Sequence, residues 1–127
     1  MSGNRYFIDT NIALYLLNGD DVIIDLLNEE DIYISVITEL ELLSYKDLTE
    51  SETKIIEEFI ESCIVIELNQ IIKENTIQIK KTNKIKLPDA IIASTSLYLN
   101  IPLITADQGF KKINEIQTVI YNKPEKA

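Results

Sequence analysis

Short segments rich in Ile, Val, Leu and aromatic residues alternate with segments of helical spacing, and this alternation limits the possible folds more than any other feature. β-branched and aromatic residues favour strands. Strands separated by helices of about ten or more residues need crossover connections, which produce a mainly parallel sheet with helices on both faces. The sequence therefore predicts an α/β fold, a three-layer sandwich with a central, mainly parallel five-stranded sheet flanked by helices. The predicted strands are Arg5–Ile8, Ile32–Val36, Cys63–Leu68, Pro102–Thr105 and Thr118–Tyr121.

Start signals mark several of the helices between these strands. Thr49 and Glu52 match a capping box, in which each side chain satisfies a backbone amide of the other residue. Pro88 suits a first helical turn because its missing N–H costs nothing there. The predicted helices are Asn11–Leu17 with Asn11 at its first turn, one from Asp20 or Asp21 to about Glu29, one with a stripe of Ile37, Leu40 and Leu43, one that begins at Thr49, one from Asn69 to about Asn83, and Asp89–Leu99.

The composition predicts one soluble, globular domain over residues 1–127. Apolar residues make up 46% of the chain and charged residues 26%, which matches a protein with a packed core. The longest apolar runs fall short of the roughly 20 residues that span a bilayer, and the first residues lack an apolar signal segment. We therefore expect a cytoplasmic protein without a membrane segment.

The residue types that are missing exclude several kinds of chemistry. The chain has no histidine and a single cysteine, Cys63, which is predicted to lie in the core. Zinc sites built from Cys and His, and nucleophilic catalysis that needs a histidine base, are therefore excluded. The formal net charge of -9 argues against a general nucleic-acid coat protein but permits a metal site.

Four acidic residues are predicted to meet at one edge of the sheet. Asp9 directly follows the first strand, and Asp107 follows the fourth, which ends at Thr105. Glu41 lies one turn into the helix after the second strand, and Asp89 lies in the first turn of its helix. In parallel α/β sheets, sites lie beyond the carboxyl ends of the strands where the strand order reverses. We therefore expect the four carboxylates at one site.

Carboxylates brought so close together need a compensating charge. Helix dipoles, worth at most about 1 kcal/mol each at exposed sites, are too weak for this. Oxygen ligands without imidazole or thiolate favour Mg²⁺ or Mn²⁺ over zinc or copper. The sequence thus predicts one or two such ions, which would activate water for attack on a phosphodiester.

Taken singly, each acid also has a purely structural interpretation. Asp9 could cap the following helix, Asp89 could be a favourable first-turn acid, and Asp107 could start a turn. Glu41 could be a solvated surface residue. Its rival, Glu39, lies two positions earlier and about 200° around the helix. The metal hypothesis depends on all four acids occurring at edge positions.

A run of lysines precedes Asp89. Lys80, Lys81, Lys84 and Lys86 could form a positive strip that holds an RNA backbone beside the acids despite the negative net charge. The equally weighted alternative is a solvated helix end, where cations interact well with the helix dipole.

Four blocks of the sequence form a recognisable set: "FIDTNI" at 7–12, "SVITELELL" at 35–43, "LPDAIIAS" at 87–94 and "LITADQGF" at 103–110. In this order and spacing they resemble the PIN-domain family, and within it the VapC-type toxin ribonucleases of toxin–antitoxin pairs. The resemblance implies a parallel sheet between helices and metal-dependent endonucleolytic cleavage of RNA. It implies a cognate antitoxin, whose basic tail would enter the acidic cleft, and a homodimer. Ser44 and Tyr45 stand where family members often have glycine, a departure that affects only a loop.

The resemblance also implies roles for individual residues. The catalytic acids would be Asp9, Glu41, Asp89 and Asp107. Asp9, Asp89 and Asp107 would bind the metal, with Asn11 and Thr105 as supporting polar groups.

Two other functions remain open from the sequence. The first is a catalytically silent PIN-like module that binds RNA or protein. The second is metal-assisted phosphoryl transfer on a small substrate, for which Lys111 or Lys112 would contact phosphate. It fits less well because the acids lie in four separate segments instead of clustering after the first strand.

Overall fold

Five parallel strands form one sheet in the computed structural model, which describes residues 4–123. The strands lie in the order β3-β2-β1-β4-β5, so β1 is central and the strand order reverses between β1 and β4. Every neighbouring pair is parallel, which confirms the predicted α/β fold. The strands are β1 (Arg5–Ile8), β2 (Asp31–Ser35), β3 (Ile64–Ile66), β4 (Leu103–Thr105) and β5 (Thr118–Ile120).

Within residues 4–123, six α-helices and one 3-10 helix connect the strands, and the 3-10 helix follows Asp107, where the sequence allowed a turn as one interpretation. The Thr49–Glu52 capping box is present. The prediction that Asn11 satisfies the first turn of its helix was wrong, because Asp9 caps that helix and Asn11 is exposed. The helices are α1 (Thr10–Leu17), α2 (Asp21–Leu27), α3 (Val36–Leu43), α4 (Glu50–Ser62), α5 (Gln70–Thr82), α6 (Leu87–Leu99) and the 3-10 helix Gln108–Lys112.

Two hydrophobic cores cover the two faces of the sheet, as the three-layer prediction requires. Side chains alternate between the faces along a strand. In β1, Phe7 packs in one core and Ile8 in the other, and Leu103 and Ile104 of β4 divide in the same way. The Ile8 core contains residues of α1 to α4, whereas the Phe7 core contains residues of α5, α6 and the 3-10 helix.

The stripe of Ile37, Leu40 and Leu43 predicted for α3 is not the face that the cores cover, because only Ile37 packs, against the Phe7 core. Leu40 is 56% exposed and Leu43 is 39% exposed, whereas Thr38 and Leu42 are fully buried. Helical spacing identifies a face, but only the neighbouring elements decide which face they cover. Cys63 is the C-cap of α4 and is only half-buried. It packs against the Ile8 core and lies outside β3, the strand in which the sequence placed it.

The extent of the domain stays a prediction, because residues 1–3 and 124–127 lie outside the described range. Among the helices of residues 4–123, none is long and apolar enough to cross a membrane.

Candidate active site

The four predicted acids line one cleft at the carboxyl edge of the sheet. Asp9 follows β1 and Asp107 follows β4, and these neighbouring strands flank the point where the strand order reverses. The Asp9 amide donates to the Ile104 carbonyl at 3.2 Å, which continues the pairing of β1 with β4. Glu41 enters from α3 and Asp89 from the first turn of α6. This acid cleft has a volume of about 160 Å³, and its other lining residues are Thr10, Asn11, Tyr45, Ile92 and Phe110.

Asp9 is buried and its two carboxylate oxygens have different partners. Oδ1 accepts from the Ile12 amide at 3.1 Å, which caps α1. Oδ2 accepts from the hydroxyl of Thr105, a fully buried residue. The Thr105 oxygen in turn accepts from the Asp107 amide at 3.0 Å. Thr105 therefore links the first acid to the backbone of the fourth, in agreement with its expected place as a neighbouring polar group.

Burial and mutual repulsion raise the pKa values of two of these acids. Desolvation is the main cause at Asp9, where hydrogen bonds from Thr105 and Ile12 oppose it and the charges of Asp107 and Asp89 add to it. The pKa of Asp89 is also raised, first by desolvation and then by Asp107 and Glu41, while Lys86 opposes the rise. The four carboxylates thus affect each other electrostatically, and the ionised site favours a cation.

A hydroxyl from the helix after β1 holds Glu41. The Thr10 hydroxyl donates to Glu41 Oε1 at 2.6 Å and lies 3.1 Å from the hydroxyl of the buried Thr38. The Thr10 hydroxyl has donor geometry toward both oxygens, and its single proton favours the charged acceptor, Glu41. Glu41 lines the acid cleft whereas Glu39 does not, so the structure favours Glu41 over its rival. Asp107 also makes the expected turn, since its Oδ1 accepts from the Gly109 amide at 2.8 Å.

The four predicted RNA-binding lysines divide into two groups. Lys84 and Lys86 line a second cavity, of about 270 Å³, whose wall also includes Asp89 and Asp107. Lys81 is exposed and outside this lining, and the ammonium of Lys80 donates to the Ile85 carbonyl at 2.7 Å.

The donor chemistry of the cleft fits a hard divalent ion, but the side chains are not arranged as a finished site. All candidate ligands are carboxylate oxygens, which Mg²⁺ and Mn²⁺ prefer. Within residues 4–123, however, no three Asp, Glu or Cys side chains are grouped closely enough to hold one ion as they stand. The metal-binding and catalytic roles of the four acids therefore stay predictions.

Comparison with known families decides the membership of the chain. The family model of the PIN domain matches residues 6–116, and the matched range contains all four acids. The chain belongs to the PIN-domain family. This membership confirms the resemblance seen in the four sequence blocks. No curated protein is significantly similar to the chain in sequence.

Several solved structures share this PIN fold over nearly their whole length. A toxin–antitoxin complex from Klebsiella pneumoniae contains a chain with 27% identity and a TM-score of 0.76, covering 89% of this chain and 96% of that one. VapBC-1 from nontypeable Haemophilus influenzae gives 27% identity and a TM-score of 0.77, covering 92% and 98%. VapBC2 from Rickettsia felis, bound to a promoter DNA fragment, gives 23% identity and a TM-score of 0.80, covering 94% and 100%, and shows the fold alone.

Sequence reasoning missed three residues around the site of this PIN domain. Thr10 carries the hydrogen bond to Glu41, Tyr45 is 46% exposed at the acid cleft, and Lys112 lines the second cavity. Thr10 had a detectable signal, because it directly follows Asp9 on the same helix start. Tyr45 was noted only as a departure from the family pattern, and Lys112 was considered only for a different chemistry.

Proposed function

We propose that this PIN domain is a metal-dependent endoribonuclease and the toxin of a type II toxin–antitoxin pair. One observation carries the proposal: acids from four separate segments line one cleft, and the repulsion among them helps to raise the pKa of the buried Asp9. Such a site suits an ion that offsets the negative charge and a substrate that carries phosphate. The likeness to solved toxin–antitoxin complexes at 27% identity supports the same function.

Asp9, Asp89 and Asp107 would bind one or two Mg²⁺ or Mn²⁺ ions. Bound there, such an ion supplies the activation of a water molecule and the neutralisation of charge on the leaving oxygen. The protein's own contribution is to orient the acids. The Thr105 hydroxyl fixes Oδ2 of Asp9, and the Ile12 amide fixes Oδ1. The Thr10 hydroxyl directs Glu41 toward the cleft, where Asn11 lies at the exposed edge.

The proposed partners are RNA as substrate and a cognate antitoxin that silences the enzyme in the cytoplasm. A basic antitoxin tail would be attracted to this site, because the chain carries a net charge of -9 and the cleft is lined by four acids. A homodimer is proposed on the family resemblance alone.

A catalytically silent PIN-like binding module is the second candidate. It is favoured by the absence of three acids at ligand spacing within residues 4–123. The two candidate functions differ in their effect on RNA. A pure binder leaves RNA intact with or without metal, whereas the proposed ribonuclease cleaves it when metal is present.

The test incubates the full-length protein with short RNA in chelator or in manganese. We expect cleavage only with manganese, and its loss in Asp9→Asn. Asp25→Asn, an exposed acid of α2 outside the cleft, is the matched control and should cleave like the parent. Calorimetry should show manganese uptake by the parent and the control but not by Asp9→Asn. Intact RNA under both conditions, or full cleavage by Asp9→Asn, contradicts the proposal.

A further inference from the structure

The second cavity carries a charge pattern opposite to that of the acid cleft. Lys84, Lys86 and Lys112 line it, and we call it the lysine pocket. Asp89 and Asp107 belong to both cavities, so the lysine pocket directly adjoins the acid cleft. We infer that the lysine pocket binds a backbone phosphate of a single-stranded RNA whose neighbouring phosphate lies in the acid cleft. This inference rests on the proposed ribonuclease function.

The loop that carries two of the lysines is held in place from two directions. The Lys112 ammonium, in the 3-10 helix, donates to the Lys84 carbonyl at 2.6 Å. The Lys80 ammonium, near the end of α5, donates to the next carbonyl, that of Ile85, at 2.7 Å. An ammonium has three donors, so Lys112 keeps two for a ligand. A loop fixed before binding loses little conformational entropy when a phosphate arrives.

The start of α6 adds a further positive contribution. Lys86 is the N-cap of this 13-residue helix, and its side chain makes no capping hydrogen bond. Amide groups at a helix start favour anions, although here Pro88 has no N–H and Asp89 already places one carboxylate in the first turn. The lysine pocket thus lies beside a helix start as well as three lysine residues.

The balance of charge indicates an RNA strand and not a free anion. Three lysines and two aspartates line the lysine pocket, so the charges of the lining nearly cancel and a lone phosphate gains little. A strand is also held through its next phosphate in the acid cleft, which makes binding in the pocket effectively intramolecular. Because the whole chain is negative, a local positive site is needed to hold RNA at all.

The pocket is narrower than the lysine strip predicted from the sequence. Lys81 is outside it, and Lys80 acts on the loop through the Ile85 carbonyl. Lys112, which lies 26 positions after Lys86 along the chain, joins it instead. The direct phosphate contacts are therefore assigned to Lys84, Lys86 and Lys112.

The test measures binding of a short fluorescent RNA by anisotropy, with full-length protein in Ca²⁺, which supplies the acid cleft with a hard dication in place of manganese. A gel run in parallel checks that the RNA stays intact. Single Gln variants at Lys84, Lys86 and Lys112 should each raise Kd about threefold or more at about 0.1 M salt. Each should also lower the slope of log K against log salt by about 0.7. Lys54→Gln, an exposed lysine of α4 outside the pocket, is the matched control and should change neither.

Several outcomes overturn the inference. One is a loss of RNA affinity in all three pocket variants that is no larger than the loss in Lys54→Gln. Another is a loss of RNA affinity in Lys81→Gln that is as large as the loss in Lys84→Gln. Inorganic phosphate that displaces RNA at equal concentration would identify a free-anion site. Lys112→Gln also removes a loop anchor and could unfold the protein. In that case Lys86→Gln provides the deciding test, because the Lys86 side chain makes no hydrogen bond within the described residues.

The two proposals fail separately. Manganese-dependent cleavage with unchanged binding and KM in the lysine variants refutes the pocket and leaves the ribonuclease. Pocket-dependent binding without any cleavage refutes the ribonuclease and leaves an RNA-binding site.

Discussion

Replacing Thr105 by valine tests how the fold keeps a buried carboxylate in the acid cleft. The change keeps the shape of the side chain but removes the hydroxyl that donates to Asp9 Oδ2 and accepts from the Asp107 amide. Losing an acceptor for a partly buried amide costs about 1 to 3 kcal/mol at any pH. The loss of the hydrogen bond to Asp9 adds a second cost in unfolding free energy, and this cost depends on the charge of the carboxylate.

The sign of the pH-dependent part follows from the pKa of Asp9. Burial raises this pKa above its unfolded value, so the contribution of Asp9 to stability is fully present below the unfolded pKa and is lost as pH rises through the folded pKa. The Thr105 bond lowers the pKa, and Thr105→Val therefore raises it further. Each further pKa unit at Asp9 lowers the unfolding free energy of the variant by about 1.4 kcal/mol. This cost develops only above the folded Asp9 pKa of the parent.

Urea unfolding of the parent and Thr105→Val, from about pH 4, close to the ordinary Asp pKa of 3.8, to about pH 8, checks this reasoning. We expect a stability difference that grows with pH. The matched control is Thr76→Val, which also removes a fully hydrogen-bonded, buried hydroxyl but has no acid as its partner: Thr76 bonds to the Ile72 carbonyl and the Ser94 hydroxyl. A loss at Thr105 that is as independent of pH as that at Thr76 refutes the electrostatic account. A carboxyl NMR titration that shows an unchanged or lower Asp9 pKa in Thr105→Val refutes it equally.

Three further predictions concern the fold. Leu42→Ala should lower the unfolding free energy by about 2 to 5 kcal/mol, whereas Leu40→Ala should stay within about 0.5 kcal/mol, and equal effects in urea unfolding would contradict the observed face of α3. Thr49→Ala removes the N-cap hydroxyl that Glu52 pairs with and should cost about 1 kcal/mol, measured in the same way, while no loss would mean that the box contributes nothing. Burial raises the pKa of the Cys63 thiol from 9.0 to about 11, so alkylation of the folded protein near neutral pH should be about a hundredfold slower than that of the urea-unfolded chain, and equal rates would contradict this.

The sequence determined the features whose causes lie within a few residues of one another. The Thr49 capping box, the apolar strand that ends at Ile8 and the acid that follows it are local patterns, and the structure contains all three. The alternation of strands and helices also determined the parallel sheet, because crossover connections leave few other topologies. That topology in turn placed Asp9 and Asp107 after neighbouring strands.

The tertiary structure alone decided which side chains meet across long stretches of sequence. The partner of Asp9 is Thr105, 96 residues away, and the partner of Glu41 is Thr10, 31 residues away. Lys112 joins Lys84 because the 3-10 helix and the loop before α6 flank one cavity. The spacing of apolar residues along the chain indicates only the type of each element, helix or strand. Long-range hydrogen bonds and buried faces depend on how the elements pack. For the same reason the sequence identified the acids of the cleft and Thr105, but not the Thr10 hydroxyl or Lys112.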